Sequence, residues 1–275
     1  MNENVNLTAY FERIGFSGSI APTLATLEAL LLLHPAAIPF ENLSPLIGEP
    51  VRLDQKALEQ KLLHDRRGGY CLEHNLLLMR MLLDLDFPVT PYAARVLWNH
   101  PEGEERPLSH LVLGVEAGGS LYLADAGFGS MTLNAPVKLR AGLEQETPAG
   151  RFRLVGEQPS YRLEAEMEGD WRPVYAFDMQ PVSDAEIEAL NVFVYPRFSQ
   201  DLVAARTERE TRYTLRDLRL STYRPGEEPE RRFLTSLEDI REVLSGTFGI
   251  NLPPADLLDP HLERVLAQRS ARETA

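Results

Sequence analysis

Cysteine, positive charge and long apolar runs are the features that this sequence has least of. Its single cysteine, Cys71, excludes an internal disulfide and favours a reducing compartment. Lys and Arg number 28 against 41 Asp and Glu, and the net charge of −13 repels nucleic acid and anionic membranes. The apolar run at residues 29–33 is too short to span a bilayer, and residues 1–10 do not resemble a signal peptide. We therefore expect a cytoplasmic protein without nucleic acid or membrane partners.

The order of the sequence patterns predicts an α+β fold. Four segments of the first third have apolar residues at helical spacing, namely 6–14, 23–33, 53–63 and 70–85. Pro35 is expected to end the second helix, and Asp54 to cap the third. Short segments separated by Gly, Pro and Asn then predict strands of an antiparallel barrel or sandwich, namely 89–98, 110–115, 120–124, 152–155 and 161–166. A mixed part follows, with helices near 184 and at 237–244, strands between 202 and 223, and a charged tail.

Cys71 lies in a setting that favours a reactive thiolate. It follows the pair Gly68-Gly69, which permits a tight turn, and it precedes the most apolar helix of the chain. The free N–H groups and positive dipole end at a helix N-terminus stabilise a thiolate. A small buried core residue is the alternative, because most lone cysteines have that role.

A nucleophilic cysteine needs a base, and six histidines are available. His34 and His261 lie beside prolines and His100 lies in a loop, so we expect these three on the surface. His74 shares a helix with Cys71, so that it is expected to pack or to be exposed rather than to act as a second base. His110 begins a predicted strand and is the strongest candidate.

The segment after His110 predicts a carboxylate beside it. If Gly118-Gly119 forms a two-residue hairpin turn, Val112 faces Asp125 and both share one side of the hairpin with His110. The two side chains would then lie diagonal to each other and within reach. Alternatively, Asp125 only caps the glycine-containing turn at 126–129.

These residues resemble the active-site motifs of a known family, the arylamine N-acetyltransferases. The similar segments are Ile38–Leu43 (IPFENL), Arg67–Asn75 (RGGYCLEHN), His110–Leu113 (HLVL) and Ala124–Gly129 (ADAGFG). Their order and spacing also match. Clear similarity covers about residues 38–136, and looser similarity covers most of the chain.

The resemblance implies a three-part fold with a papain- or transglutaminase-like catalytic core. Its parts would be a helical bundle at 1–87, a β-barrel at 88–190 and an α/β lid at 191–275. The barrel would carry the histidine and the aspartate, and the bundle would carry the cysteine.

The resemblance also implies a reaction. Acetyl-coenzyme A would be the donor, and arylamines, arylhydrazines or N-hydroxyarylamines would be the acceptors, without a metal or a prosthetic group. Cys71 would be the acetylated nucleophile, His110 the base and Asp125 its orienting carboxylate, in a ping-pong cycle.

Further residues receive roles by position in the family motifs. Phe40, Val96 and Phe128 would line the acceptor pocket, and Gly127 and Gly129 would lie near the donor. Glu41 and Arg67 would form a structural ion pair, and the segment 191–198, which borders the donor cleft, is shorter than in the family. Apart from the resemblance, Arg197, Arg206 and Arg212 are candidates for a local anion-binding cluster in the acidic C-terminal part.

Three other functions share features of this sequence. An amide synthase that closes a polyketide macrolactam uses the same three residues and is the main alternative. A cysteine peptidase or transglutaminase-like enzyme, and a non-catalytic binding module, fit the motifs less well. Homo-oligomerisation stays open.

Overall fold

The computed structural model describes residues 5–101 and 103–273, with side chains described up to residue 268. It combines helices with two antiparallel sheets, so the predicted α+β class is confirmed. The N-terminal elements are α1 (Leu7–Ile14), α2 (Leu24–Ala37), β1 (Phe40–Glu41), α3 (Leu43–Leu46), α4 (Gln55–Leu58) and α5 (Cys71–Asp84). α4 continues into a π-helical turn at Glu59–His64, and the Asp54 side chain caps it by accepting the Ala57 N–H at 3.1 Å, as predicted.

Helix α2 runs past Pro35, where the sequence pattern predicts its end. It ends at Ala37, and the Ile38 N–H donates to the His34 carbonyl at 2.8 Å. Pro35 removes one N–H donor from the helix, and the helix continues for only two residues beyond it. The extra turn keeps His34 in the interior, where it is 0% exposed. The prediction of a surface histidine at this position is therefore wrong.

An eight-stranded antiparallel sheet follows and forms a nearly closed barrel. Its strands are β2 (Val89–Val96), β3 (Leu108–Ala117), β4 (Ser120–Ala124), β5 (Val137–Lys138), β6 (Glu144–Thr147), β7 (Gly150–Glu157), β8 (Ser160–Met167) and β9 (Asp170–Pro181). Their spatial order is β5-β4-β3-β2-β9-β8-β7-β6. The predicted strands do not include β9, which contains Pro173, a residue without an N–H donor for the ladder. In the structure Pro173 lies opposite Glu164 at a register shift, where the sheet tolerates a missing N–H donor.

The C-terminal part combines a second sheet with helices. Its elements are α6 (Asp184–Val194), β10 (Val203–Thr207), β11 (Arg212–Arg216), β12 (Arg219–Tyr223), β13 (Glu230–Phe233), α7 (Leu237–Glu242) and α8 (Ala255–Glu273). One face of this sheet packs on the C-terminal helices through Ala204, Leu215 and Leu220. The predicted charged tail is in fact helix α8. Its Leu258, Leu262 and Val265, at helical spacing, are buried among charged neighbours that hide the pattern.

The predicted division at residues 87/88 and 190/191 stays a prediction. Contacts cross both boundaries, since β1 completes the C-terminal sheet by pairing Phe40 with Ala205 of β10, and α6 runs through residue 190. Helix α5 lies in the largest core, where Leu72, Leu77 and Leu78 are fully buried. Within the described residues, no helix combines the length and apolar character needed to cross a membrane.

Candidate functional site

Cys71 is the first residue of α5, as its sequence setting predicts. The Glu73 carboxylate caps this helix by accepting the Tyr70 N–H at 3.0 Å. Gly68 allows the preceding turn to pack, because a Cβ there would lie 2.0 Å from the Pro39 carbonyl oxygen. Cys71 is 5% exposed, and its sulfur lies 3.9 Å from the Ser109 carbonyl oxygen. The thiol therefore sits at the helix N-terminus, against the strand that carries His110.

The β3–β4 hairpin brings His110 and Asp125 together. Its register pairs Glu116 with Leu121 and Gly114 with Leu123, which confirms the two-residue turn. The ladder ends one pair before Asp125, so Asp125 lies just beyond β4 rather than opposite Val112 within the ladder. The His110 Nε2–H donates to Asp125 Oδ2 at 2.7 Å, and the two side chains are 2% and 0% exposed. Because a carboxylate only accepts hydrogen bonds, this contact fixes the proton on Nε2.

The electrostatics of this pair favour charge on both partners. Burial alone would lower the pKa of His110, but the Asp125 carboxylate, and then the Cys71 sulfur, raise it to about 10. Burial alone would raise the pKa of Asp125. The His110 charge and hydrogen bonds from His110, Asn75 and the Gly127 N–H lower it instead. At neutral pH the pair is thus an imidazolium and a carboxylate that face the Cys71 sulfur.

Asn75 connects the helix to the hairpin, a role that no sequence motif assigned to it. It lies one turn after Cys71 and donates from Nδ2 to Asp125 Oδ1 at 2.8 Å and to the Leu111 carbonyl at 2.7 Å. Its Oδ1 accepts the Ala126 N–H at 2.9 Å. The sequence does hold a signal for this role, because an amide side chain inside the most apolar helix is expected to be buried and therefore to need hydrogen-bond partners.

Aromatic side chains surround the histidine. The Phe128 ring lies edge-on to His110 at 5.2 Å, and Tyr175 of β9 lies 5.3 Å from His110, both between ring centroids. Val96 is half-buried on β2, directly opposite Tyr175. Burial, and then the Asp125 charge, raise the pKa of Tyr175 well above its ordinary value, so its hydroxyl stays neutral. Tyr175 was not among the predicted site residues, because it belongs to the strand that the sequence pattern does not predict.

Phe40, Gly127 and Gly129 lie on adjoining segments. A Cβ on Gly129 would lie 3.3 Å from the Phe40 ring, and a Cβ on Gly127 would lie 2.8 Å from the Cys71 carbonyl oxygen. Their N–H groups are already bonded, from Gly127 to Asp125 Oδ1 at 2.9 Å and from Gly129 to Thr132 Oγ1 at 2.7 Å. These glycines therefore permit close packing, and their amides are committed within the protein.

The expected Glu41–Arg67 ion pair is present. Arg67 contacts Glu41 Oε1 at 3.0 Å, with the carboxylate fully buried, and Glu41 Oε2 accepts the Leu43 N–H at 2.5 Å. Burial alone would raise the pKa of Glu41, but the charges of Arg67 and Lys61 lower it. The Glu41 N–H also donates to the Gly69 carbonyl at 2.9 Å. The pair thus ties the segment of Phe40 to the turn before Cys71.

The other histidines considered above are buried or half-buried, and the interior position of His74 is one of the two expected for it. His74, like His34, is fully buried, and the two rings are hydrogen-bonded to each other at 3.0 Å. His100 and His261, both expected on the surface, are half-buried. Among the described residues, no group of three or more His, Cys, Asp or Glu side chains is arranged to hold a metal ion.

The three candidate anion-binding arginines have separate partners. Arg197 lies over the Phe193 ring at 4.2 Å, and Arg206 donates to the carbonyls of Ala36 and Thr247. Buried Arg212 contacts the Met131 sulfur at 3.0 Å, and burial lowers its pKa to about 10.

The shortened segment 191–198 forms the end of α6 and a 3₁₀ turn. Its Asn191 bonds to the Tyr70 hydroxyl, and its Phe198 ring lies 5.8 Å from that of Phe40. The effect of this segment on donor binding stays a prediction.

Comparisons with known proteins agree with this geometry. A family profile described as N-acetyltransferase matches residues 23–257. The chain is 38% identical to the arylamine N-acetyltransferase of Mycolicibacterium smegmatis, over 90% of this chain and 93% of that protein. It is 35% identical to the arylamine N-acetyltransferase / N-hydroxyarylamine O-acetyltransferase of Salmonella typhimurium, over 90% and 89%. The structure of Mycobacterium marinum arylamine N-acetyltransferase in complex with CoA superposes with a TM-score of 0.90 at 34% identity, over 94% of this chain and 99% of that one. This chain belongs to the arylamine N-acetyltransferase family.

Proposed function

We propose that this protein moves an acetyl group from acetyl-CoA to arylamines, arylhydrazines and N-hydroxyarylamines through an acetyl-Cys71 intermediate. The acceptor atom is nitrogen, or oxygen in the hydroxylamines. The observation that carries the proposal is the buried His110–Asp125 pair, with its 2.7 Å hydrogen bond, beside a cysteine at a helix N-terminus. Family membership supports acetyl transfer with CoA.

In the first half-reaction the Cys71 thiolate attacks the thioester carbonyl of acetyl-CoA. The carbon–sulfur bond to CoA breaks, and the CoA thiolate takes the proton that His110 carries. The raised pKa of His110, about 10, supports this step because it keeps the imidazolium available at neutral pH. The products are acetyl-Cys71, neutral His110 and free CoA thiol.

In the second half-reaction the acceptor nitrogen attacks the acetyl-cysteine. Neutral His110 removes the proton from the nitrogen, the bond to the Cys71 sulfur breaks, and the thiolate–imidazolium pair is restored. Asp125 orients the ring throughout and stabilises its charge. Each cycle thus leaves the protein unchanged, and the order is ping-pong.

The apolar wall of the site supports an aromatic acceptor. Phe128 lies edge-on to His110, and Phe40 lies against Gly129. We assign these two rings and Val96 to the acceptor pocket. An arylamine is neutral at pH 7, whereas an alkylamine would lose its proton and its hydration before entering such a pocket.

We also assign Gly127 and Gly129 to the donor side of the site. Their N–H groups are bonded to Asp125 and Thr132, so the glycines act by close packing that shapes the donor side rather than by binding phosphates. A side chain at Gly127 would collide with Cys71, and one at Gly129 would be crowded by Phe40 and strained by the positive φ of 87°.

The test is to incubate the protein with acetyl-CoA alone and to record its intact mass and the CoA thiol released. Wild type is expected to gain one acetyl group, and Cys71→Ser none under the same conditions. Addition of an arylhydrazine should then remove the acetyl group and yield the N-acetylated arylhydrazine.

Two results would contradict the proposal in different ways. An equal adduct on Cys71→Ser would exclude Cys71 as the nucleophile. If wild type forms no adduct although an alkylating reagent still modifies Cys71, acetyl-CoA is not the donor, and longer acyl thioesters become the substrates to test.

A further inference from the structure

A chain of three buried side chains ends on the backbone beside the candidate site. The Tyr10 hydroxyl lies 3.0 Å from His34 Nδ1, and His34 Nε2 lies 3.0 Å from His74 Nδ1. His74 Nε2 then lies 3.1 Å from the Pro39 carbonyl oxygen. Tyr10, His34 and His74 are each 0% exposed. None of them belongs to the reaction proposed above.

The chemistry of these groups fixes the direction of every hydrogen bond. The Pro39 carbonyl can only accept, so the proton of His74 is on Nε2 and its Nδ1 is an acceptor. His34 consequently donates from Nε2 and accepts on Nδ1 from the Tyr10 hydroxyl. This assignment requires neutral rings. Burial lowers the pKa of His74 to about 4 and that of His34 well below its ordinary value, so both rings are neutral at pH 7.

His74 touches the three segments that build the site. The Pro39 carbonyl oxygen accepts from the His74 Nε2–H and also from the Gly69 N–H at 3.3 Å. Gly69 belongs to the turn before Cys71. Its ring lies parallel to that of Phe40 at 6.4 Å between centroids. Its Cβ lies 2.9 Å from the position that a Cβ on Gly127 would take, two residues after Asp125.

We propose that His74, held by the chain from Tyr10 and His34, is a positioning residue that fixes the Pro39–Phe40 segment for the acceptor. This inference rests on the proposed function, because Phe40 is the acceptor wall in that reaction. Both ring nitrogens of His74 are committed to protein partners, so it does not move protons in the reaction.

The cysteine turn has supports that do not involve His74. Glu73 caps α5, the helix that begins at Cys71, by accepting the Tyr70 N–H. The Glu41 bonds to Arg67 and to the Gly69 carbonyl hold the cysteine turn and the Phe40 segment alike, whereas the His74 ring lies parallel to the Phe40 ring. Loss of the His74 hydrogen bonds should therefore displace Phe40 more than Cys71. The expected defect is in acceptor binding rather than in acetylation of the thiol.

Two substitutions at His74 separate these effects. In His74→Leu, the Pro39 carbonyl keeps only the Gly69 N–H at 3.3 Å and His34 Nε2 loses its acceptor. In His74→Gln the amide can donate to the carbonyl and accept from His34. We expect His74→Leu to raise the KM for an arylhydrazine by about tenfold, because acceptor binding would then have to order the Pro39–Phe40 segment. The rate of thiol acetylation by acetyl-CoA should change by less than about threefold. His74→Gln should keep the KM within about twofold of wild type.

Equal acceptor KM values for His74→Leu and wild type would overturn the proposal, and so would a larger defect in thiol acetylation than in acceptor KM. If acetyl-CoA does not acetylate the wild-type protein, the result instead contradicts the proposed function. A measurement on wild type covers the case in which His74→Leu does not fold. NMR of ¹⁵N-histidine-labelled protein should show both His34 and His74 as Nε2–H tautomers at pH 7, and an Nδ1–H tautomer at His74 would exclude the hydrogen-bond chain.

Discussion

The buried histidines of this protein form two regions with opposite electrostatics. His110 at the end of the hairpin is 2% exposed, and its pKa is raised to about 10. His74 in the helical part is 0% exposed, and its pKa is lowered to about 4, while that of its partner His34 is also lowered. Burial alone acts in the same direction on all three rings, so it does not explain the difference.

The charge of the hydrogen-bond partner explains it. His110 donates to the Asp125 carboxylate, and at 2.7 Å in a poorly solvated site this attraction exceeds the cost of burying the imidazolium. His34 and His74 have only a phenol, each other and a carbonyl as partners, and the cost of burial dominates. His110 and Asp125 thus form a charged region in which the imidazole keeps its second proton at neutral pH. His34 and His74 form a neutral region whose hydrogen bonds end on the backbone carbonyl of Pro39.

The largest expected effect on activity follows from removing the Asp125 charge, which stabilises the His110 imidazolium. In Asp125→Asn the amide is nearly isosteric with the carboxylate but does not stabilise the imidazolium. The rate of thiol acetylation by acetyl-CoA should fall by about 10⁴-fold at pH 7, the scale of the same change in a Ser-His-Asp protease. The pKa of His110, measured by NMR titration, should fall below 7. If the His110 pKa stays near 10 in Asp125→Asn, the carboxylate charge is not what separates the two regions.

A second expected effect is on alkaline stability. The folded pKa of His110 is above its unfolded value of 6.5, so the contribution of the charged ring is fully present below pH 6.5. It is lost as pH rises towards about 10. Urea unfolding of wild type and His110→Gln between pH 6 and pH 10 should therefore show the two free energies of unfolding converging. A difference between the two proteins that is independent of pH would contradict a charged His110.

The neutral pair should produce a smaller effect at the opposite end of the pH scale. The folded pKa of His74 is below its unfolded value, so stability is lost as pH falls from 6.5 towards about 4. For this single ring the loss amounts to about 3 kcal/mol. The positive charge of Lys61 lowers the pKa of His74 and the negative charge of Glu41 raises it, while Arg13 lowers that of His34.

His74→Gln is the matched variant for this loss of stability at low pH, because glutamine can form similar hydrogen bonds but does not titrate. Urea unfolding between pH 7 and pH 4.5 should give a shallower decline of the free energy of unfolding for His74→Gln than for wild type. Parallel declines in the two proteins would assign the acid sensitivity to other groups.

The charged region was predictable from the sequence, because local rules determine it. A two-residue turn fixes the register of a hairpin, so the sequence alone predicts His110 and Asp125 as neighbours. The two glycines before Cys71 likewise predict its place at the start of α5. Asn75 and Tyr175 were not assigned a role, because their roles depend on contacts between elements far apart in the chain.

The neutral region was not predictable in the same way. The prediction of a surface His34 depends on Pro35 ending a helix, and in the structure the packing of α2 is compatible with a proline in its last turn. The contact of His34 with His74 joins residues 40 positions apart, and no local pattern specifies it. The predicted α+β class was more robust than these details, because the order of helical and strand patterns suffices for it.

The smallest expected effect concerns the Tyr10 hydroxyl, which donates to His34 at the start of the hydrogen-bond chain. Tyr10→Phe keeps the packing of the ring but leaves His34 Nδ1 without the hydroxyl that lies 3.0 Å away. We expect a loss of about 1 kcal/mol in the free energy of unfolding at pH 7, measured with urea. Tyr161→Phe on β8 is the matched control, because its half-buried ring has a different setting, against Phe177. If both variants lose the same free energy, the Tyr10 hydroxyl does not hold His34. If only Tyr10→Phe loses stability while the His110 pKa stays near 10, the two histidine regions are energetically independent.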